Sequence, residues 1–408
     1  MDIILFEDHS HFDLLPFTYT RPVDQLRTGI YTNYERWVSV LGTRVYALAY
    51  GYLGAHFNQL PTDSKDYLWI NGKYWPEPEL LRYCDDLPLG SYARHAVHDE
   101  VVMARFPLAQ LGHDHDGLIT IDWCEAQGLK AETFTAEGRA FRFPEDLFLH
   151  NRAAIAFDFN LITENEQSCR ITDPHTVVYG ADNLFVGEGV QVRAGIINAE
   201  DGPIYLGPGV RIGEGAIIHG SHAFGAHTQV SMGAKLRGDS AFGPYVKVGG
   251  EVGNSVIMGY SNKGHDGYLG NSVLGHWCNL GADTNTSNLK NNYAEVKLYH
   301  EPSGRFRPTG QQFCGLMMGD HSKCGINTMF NTGTVVGVSA NLFGAGFPRP
   351  FVPSFAWGGS SGLSTFRLDK AFEVAQQVMG RRQVPFDQKE QAILSAVYAL
   401  TAPQRRWE

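Results

Sequence analysis

The stretch 224–252, FGAHTQVSMGAKLRGDSAFGPYVKVGGEV, decides the fold of this 408-residue chain. Large apolar residues stand at Phe224, Val230, Leu236, Phe242 and Val248, each six positions after the last. Four positions beyond each come Thr228, Ala234, Ser240, Val246 and Val252, all small or β-branched. A helix needs apolar spacing near 3.6 and a flat strand a spacing of 2. A period of six instead fits a coil of three short strands joined by tight corners, about 18 residues per turn. One side chain per hexad points inward. Glycine often follows it, as at Gly225, Gly243 and Gly249, and permits the bend.

The beat extends in both directions. Val186, Val192, Leu206, Ile212 and Ile218 carry it upstream; Leu274, Leu280, Met318, Cys324, Phe330, Val336 and Leu342 carry it downstream. Residues 181–345 are therefore expected to form a left-handed parallel β-helix of hexapeptide repeats, with roughly eight or nine coils. Glycine usage shifts at the same place: of 46 glycines, 11 precede residue 181 and 34 lie in 181–362. The register breaks at 198–205, 254–268 and 285–315. Such breaks predict loops thrown from corners, where binding groups usually sit.

Residues 346–362, GFPRPFVPSFAWGGSSG, are rich in proline and glycine. They are expected to leave the solenoid and wrap over its end. Apolar spacing predicts helices over 368–382 and 387–402, suited to capping the last coil. Residues 1–180 read as an α/β, Rossmann-like domain. Strands are expected at 2–6, 44–49 and 67–71, and helices at 32–41 and 151–161. The domain reading is thus 1–180, 181–345 and 346–408.

Composition limits function. The net charge is −10, which disfavours nucleic acid. No apolar run reaches 18 residues, and MDIILFEDHSHFD lacks a signal peptide's basic start. Six scattered cysteines without CxxC suit reduced thiols in the cytoplasm. The clusters Asp8, His9, His11, Asp13 and His113, Asp114, His115, Asp116 read as polar turns rather than metal sites.

The segment 261–288, SNKGHDGYLGNSVLGHWCNLGADTNTSN, resembles the acetyltransferase site of the GlmU-type bifunctional sugar nucleotidyltransferase/acetyltransferase family, in a divergent branch. His265, Tyr268, Leu269, Gly270, Gly275, Asn279, Leu280, Gly281, Ala282 and Thr284 fall in step, and Lys263 lies near that family's lysine. The resemblance implies acetyl-CoA as co-substrate and an amino-sugar phosphate or nucleotide sugar as acceptor, in UDP-N-acetylglucosamine-type synthesis. It implies His265 as the base that takes the ammonium proton, a role suited to a side chain of ordinary pKa near 6.5. It further implies Lys263, Tyr268, Asn279, Asn288 and Lys297 as acceptor contacts and Ala282 beside the thioester. Arg237 would grip phosphate with two parallel donors. A homotrimer is implied, with CoA in the cleft between neighbours. One departure is Gly253, where the family carries a sugar-binding lysine.

Residues 14–22, LLPFTYTRP, resemble the segment following the glycine-rich loop of sugar-1-phosphate nucleotidyltransferases. That family's loop uses glycine N–H groups and an arginine on the triphosphate. Here the corresponding EDHSHFD (7–13) has neither, and Lys73 stands where the family places its metal-binding aspartate. Arg21, Arg27 and Lys73 remain candidate phosphate contacts, and magnesium is implied only if this domain is active. Two alternatives stay open: nucleotidyl transfer as the only activity, or a non-catalytic sugar-nucleotide-binding scaffold.

Overall fold

The structure is a computed structural model that describes residues 2–407 apart from 43, 64, 113 and 114. It divides into two compact units. The first comprises 1–14, 18–26 and 31–143; the second comprises 15–17, 27–30 and 144–408.

The first unit is built on a six-stranded sheet. Its strands are β1 (Ile3–Phe6), β2 (Val45–Ala47), β3 (Asp66–Asn71), β4 (Ser91–His95), β5 (Val101–Pro107) and β6 (Lys130–Phe134), in the order β2-β1-β3-β5-β4-β6. β1 pairs in parallel with β2 and β3, and β5 runs antiparallel to both β3 and β4. Ile3 and Leu5 pack on one face and Ile4 and Phe6 on the other, so β1 is apolar throughout. A strand covered on both faces needs that composition. The helix Asn33–Leu41 starts where expected, because Thr32 and Glu35 form a reciprocal capping box.

The second unit is the left-handed parallel β-solenoid read from the hexads. Parallel sheets of six, nine and ten strands form its three sides, with a short terminal strand running antiparallel on the last. Leu206 pairs with Phe224, and Phe224 with Phe242, a spacing of one 18-residue coil. Every hexad position named above is buried, from Val186 to Leu342. The first break, at 198–205, holds two extra residues, since Val186 pairs with Leu206. The last break ejects an antiparallel hairpin, Lys297–His300 with Arg305–Pro308.

Two expectations are corrected. The segment 346–362 does not leave the solenoid: Phe351–Val352 pairs with Val335–Val336, and Ala356–Gly359 with Asn341–Leu342. Its prolines fall outside these short pairings, where no ladder bond is lost. The helix Leu368–Gly380 does not sit over the end either. Its Ala371 and Ala375 face His321, Lys323 and Asn341 along the ten-stranded side. Leu363 and Trp407 pack against the end of the core instead.

The middle break, 254–268, keeps all three sheets but shortens the coil. Phe242 pairs with Ile257 and Val248 with Lys263, each only 15 residues on. Lys263 therefore occupies an inward register otherwise filled by Ile212, Val230 and Val248.

Candidate active site

The ten-stranded side carries an outward ladder set by its register. Gln229, Lys247, Asn262, Asn279 and Lys323 stand one coil apart along it. Parallel strands lie about 4.8 Å apart, so these side chains form a continuous polar strip. Over this strip runs a groove of about 940 Å³. The turn 264–267 contributes His265, and the end of the helix Leu368–Gly380 contributes Val378, with Arg381 and Arg382 following.

The 264–267 turn joins strand Asn262–Lys263 on the ten-stranded side to strand Tyr268–Gly270 on the six-stranded side. His265 is exposed at this corner. Gly267 has φ +110°, and a Cβ there would meet the Thr284 carbonyl oxygen at 2.2 Å. Only glycine allows the turn to close so tightly.

Beneath the turn lies Lys263, 1% exposed. Its ammonium donates to the carbonyl of His265 at 2.6 Å, and to those of Gly249 and Asp266 at 3.3 Å each. Burial pushes its pKa from 10.5 down to about 8. Lys263 thus holds the histidine's backbone from inside and does not line the groove, contrary to the expectation of a sugar contact. The shortened coil sets it in the inward register above Val248. Lys323 is also lowered to about 8 by burial and donates to the His321 carbonyl at 2.7 Å.

The structure sorts the expected residues into two faces. His265, Asn279 and Ala282 line the groove together. Asn279 accepts from the Asn262 amide at 3.3 Å. Tyr268, Asn288 and Arg237 belong to the adjoining side. The Asn288 amide donates to the Tyr268 hydroxyl at 3.1 Å and to Asn271 Oδ1 at 2.8 Å. Arg237 pairs with Glu251 at 2.8 Å on the surface. Lys297 stands on the ejected hairpin. Sequence reasoning missed Lys247, Lys323, Arg381 and Arg382. The Trp277 ring stacks on Tyr260 at 4.3 Å, and both line the groove. Tyr245, Tyr260, Trp277 and His321 all have positive φ near 60°, so they share one corner of successive coils. That recurrence was the available signal.

The first unit has its own cleft of about 660 Å³, entered beside Asp8, at the end of β1, and Lys73, just past β3. The Lys73 ammonium is 1% exposed and lies 2.7 Å from both Asp8 Oδ2 and Glu100 Oε2. Arg142 reaches the other oxygen of Glu100 at 2.8 Å. Although burial raises them, Asp8 is held below the usual carboxylate range by Lys73, and Glu100 by Lys73 and Arg142. Asp8 also accepts from Asn71 and from the Ser10 backbone. These carboxylates are fully engaged and do not fit a magnesium ion. Six carboxyl groups line the cleft against Lys73, Arg94 and Arg142, an excess of negative charge that repels a triphosphate. Lys73 is thus neutralised where a phosphate grip was expected. Arg21 is buried and does not line the cleft. Arg27 belongs to the second unit and donates to the Ile30 carbonyl. His11 bonds Glu7 at 2.9 Å. No metal-holding group of three or more His, Cys, Asp or Glu occurs among the described residues; His113 and Asp114 lie outside them.

Residues 3–167 match the family described as "Sugar nucleotidyl transferase". Over 93 residues the chain is 34% identical to a bifunctional sugar-1-phosphate nucleotidylyltransferase/acetyltransferase of Sulfurisphaera tokodaii, covering 23% of each protein. Over 87 residues it is 36% identical to the bifunctional protein GlmU of Methanocaldococcus jannaschii, covering 21% of each. The match spans less than a quarter of the length of either relative. Among solved structures, the polySia-specific acetyltransferase NeuO aligns at 13% identity and a TM-score of 0.28, over 53% of this chain and 99% of that one.

The chain thus joins a domain that matches a sugar nucleotidyl transferase family model to a left-handed β-solenoid of hexapeptide repeats. At superfamily level the chain is related to GlmU-like proteins. No helix among the described residues is long and apolar enough to cross a membrane.

Proposed function

We propose that the solenoid transfers an acetyl group from acetyl-CoA to an amino-sugar phosphate or nucleotide amino sugar, with His265 as the general base. One observation carries this reading. His265 projects from a corner with a large groove on one side and the polar Tyr268–Asn288 pair on the other. A donor lying in the groove and an acceptor held on the adjoining face would meet at that corner.

The chemistry follows from the positions. His265 takes the proton of the acceptor ammonium, leaving a neutral amine. The amine nitrogen bonds to the thioester carbonyl carbon and the C–S bond breaks, so the thiol departs with the proton that nitrogen sheds. Asn279 and the backbone at Ala282 lie on the groove wall beside this path. Tyr268, Asn288, Arg237 and Lys297 are assigned to the acceptor. The assembly carried over from hexapeptide transferases is a homotrimer, acting in the cytoplasm. The first unit is assigned as a divergent nucleotidyltransferase-like domain.

The test is CoA release from acetyl-CoA with a panel of amino-sugar phosphates. Release is expected in the native protein and lost by about 100-fold or more in His265→Ala. Absence of release across the panel, together with no acetyl-CoA binding, would remove the reading.

A further inference from the structure

Two lysines of the solenoid are pushed down to about 8 by burial, and access separates them. Lys263 is 1% exposed and gives its ammonium to three backbone carbonyls inside the coil. Lys323 stands on the outward ladder and lines the groove, one coil on from Asn279. Parallel strands lie about 4.8 Å apart, so Lys323 shares the wall on which Asn279 and Ala282 lie. Its ammonium donates to a single carbonyl, that of His321 at 2.7 Å. No carboxylate offsets its burial; the Cys278 thiol opposes it, and that thiol is itself pushed up to about 12. The helix Leu368–Gly380 packs beside Lys323 with Ala371, Val374 and Ala375, none of which titrates. His321 shares that contact, and Arg381 and Arg382 line the groove. An amine so placed is a nucleophile that the acetyl-transfer reading leaves unused. A fraction of it is neutral near pH 7, where an exposed lysine is almost wholly protonated.

We propose that Lys323 is a modification site, acylated by the thioester donor that the groove holds. The Lys323 ammonium first gives a proton to water. The amine nitrogen then bonds to the thioester carbonyl carbon, and the C–S bond breaks. The thiol leaves with the electron pair of that bond and with the further proton that nitrogen sheds. An amide on Lys323 and free CoA are the products, and no other reactant is consumed. A donor bound beside the amine raises its effective concentration, an advantage that lysines elsewhere on the surface lack. The proposal rests on the acetyl-transfer reading for the donor and does not require the sugar acceptor.

The full-length protein is incubated with acetyl-CoA alone, and acetylated peptides are mapped by mass spectrometry over a range of donor concentration and pH. Lys323 is expected to acetylate about 10-fold or more faster than the exposed Lys247. Its rate should saturate with donor and rise through an inflection near pH 8. Lys263 should stay unmodified, since it has the same lowered pKa without access. Lys323→Arg should remove the first acetyl group seen in the intact mass, with a thermal melt to confirm its fold. A rate at Lys323 no higher than at Lys247 or Lys263 overturns the proposal, as does a rate that climbs linearly with donor. Acetylation of an amino-sugar phosphate without any acetylation of Lys323 overturns it and leaves the acetyl-transfer reading standing. Saturable acetylation of Lys323 with no transfer to any amino-sugar phosphate upholds it and removes the sugar acceptor instead.

Discussion

Replacing Lys263 by methionine tests the most unusual feature of the solenoid, an ammonium at an inward register. Methionine keeps the length and the apolar stem and removes the charge. In the folded protein burial lowers the lysine pKa from 10.5 to about 8. An unfolded chain titrates near 10.4. Between those values the unfolded state binds a proton that the folded state has released, so native stability rises with pH across that window. Each pH unit inside it contributes about 1.4 kcal/mol. From pH 7 to pH 9.5 the wild type should therefore gain about 2 kcal/mol relative to Lys263→Met. Below pH 8 the two should differ little. Three carbonyl contacts are lost, but so is the cost of burying a charge. Lys323 titrates in the same range in both proteins and cancels. Urea unfolding of both proteins at pH 7.0 and 9.5 measures the difference. A gap that is the same at both pH values, within about 0.5 kcal/mol, would refute the placement of this ammonium inside the coil.

Phe242 sits at 1% exposure in the middle of the stack, and Phe242→Ala should cost about 3–5 kcal/mol in a denaturant titration. In the first unit, Lys73→Met leaves Asp8 and Glu100 buried without their shared cation; a loss of about 3–5 kcal/mol is expected. Because Asp8 and Glu100 are depressed, their contribution is present above the ordinary carboxylate range and lost as pH falls through the lowered values. The acid-unfolding midpoint of the wild type should therefore differ from that of Lys73→Met, which an acid titration followed by circular dichroism reads. Gly267→Ala places a methyl group against the Thr284 carbonyl at a positive φ. It should reduce CoA release more than it reduces thermal stability, since it displaces the His265 turn at the surface.

The hexad beat made the solenoid legible because a coil can bury only one face of each strand. Phe224, Phe242 and their partners had to recur at the coil's own period, and each is buried where the period put it. The capping pair Thr32 and Glu35 made one helix boundary legible for a similar reason: its bonds span three residues. Local rules failed where pairing was decided at a distance. The prolines around Phe351 and Val352 suggested that the solenoid had ended. The backbone between them still found a partner in Val335–Val336.

The sequence alone determined the solenoid and the corner segment containing His265, because both follow from short spacings along the chain. Only the tertiary structure decided which side chains share the groove. Contraction of one coil from 18 to 15 residues set Lys263 in the inward register beneath His265. Folding of the helix Leu368–Gly380 along the ten-stranded side brought Arg381 and Arg382 to a groove lined otherwise by residues between 229 and 326. In the first unit, strand order set Lys73 between Asp8 and Glu100, and so turned a candidate phosphate contact into a buried ion pair. Charge, burial and access belong to neighbours in space, and no spacing along this chain encodes them.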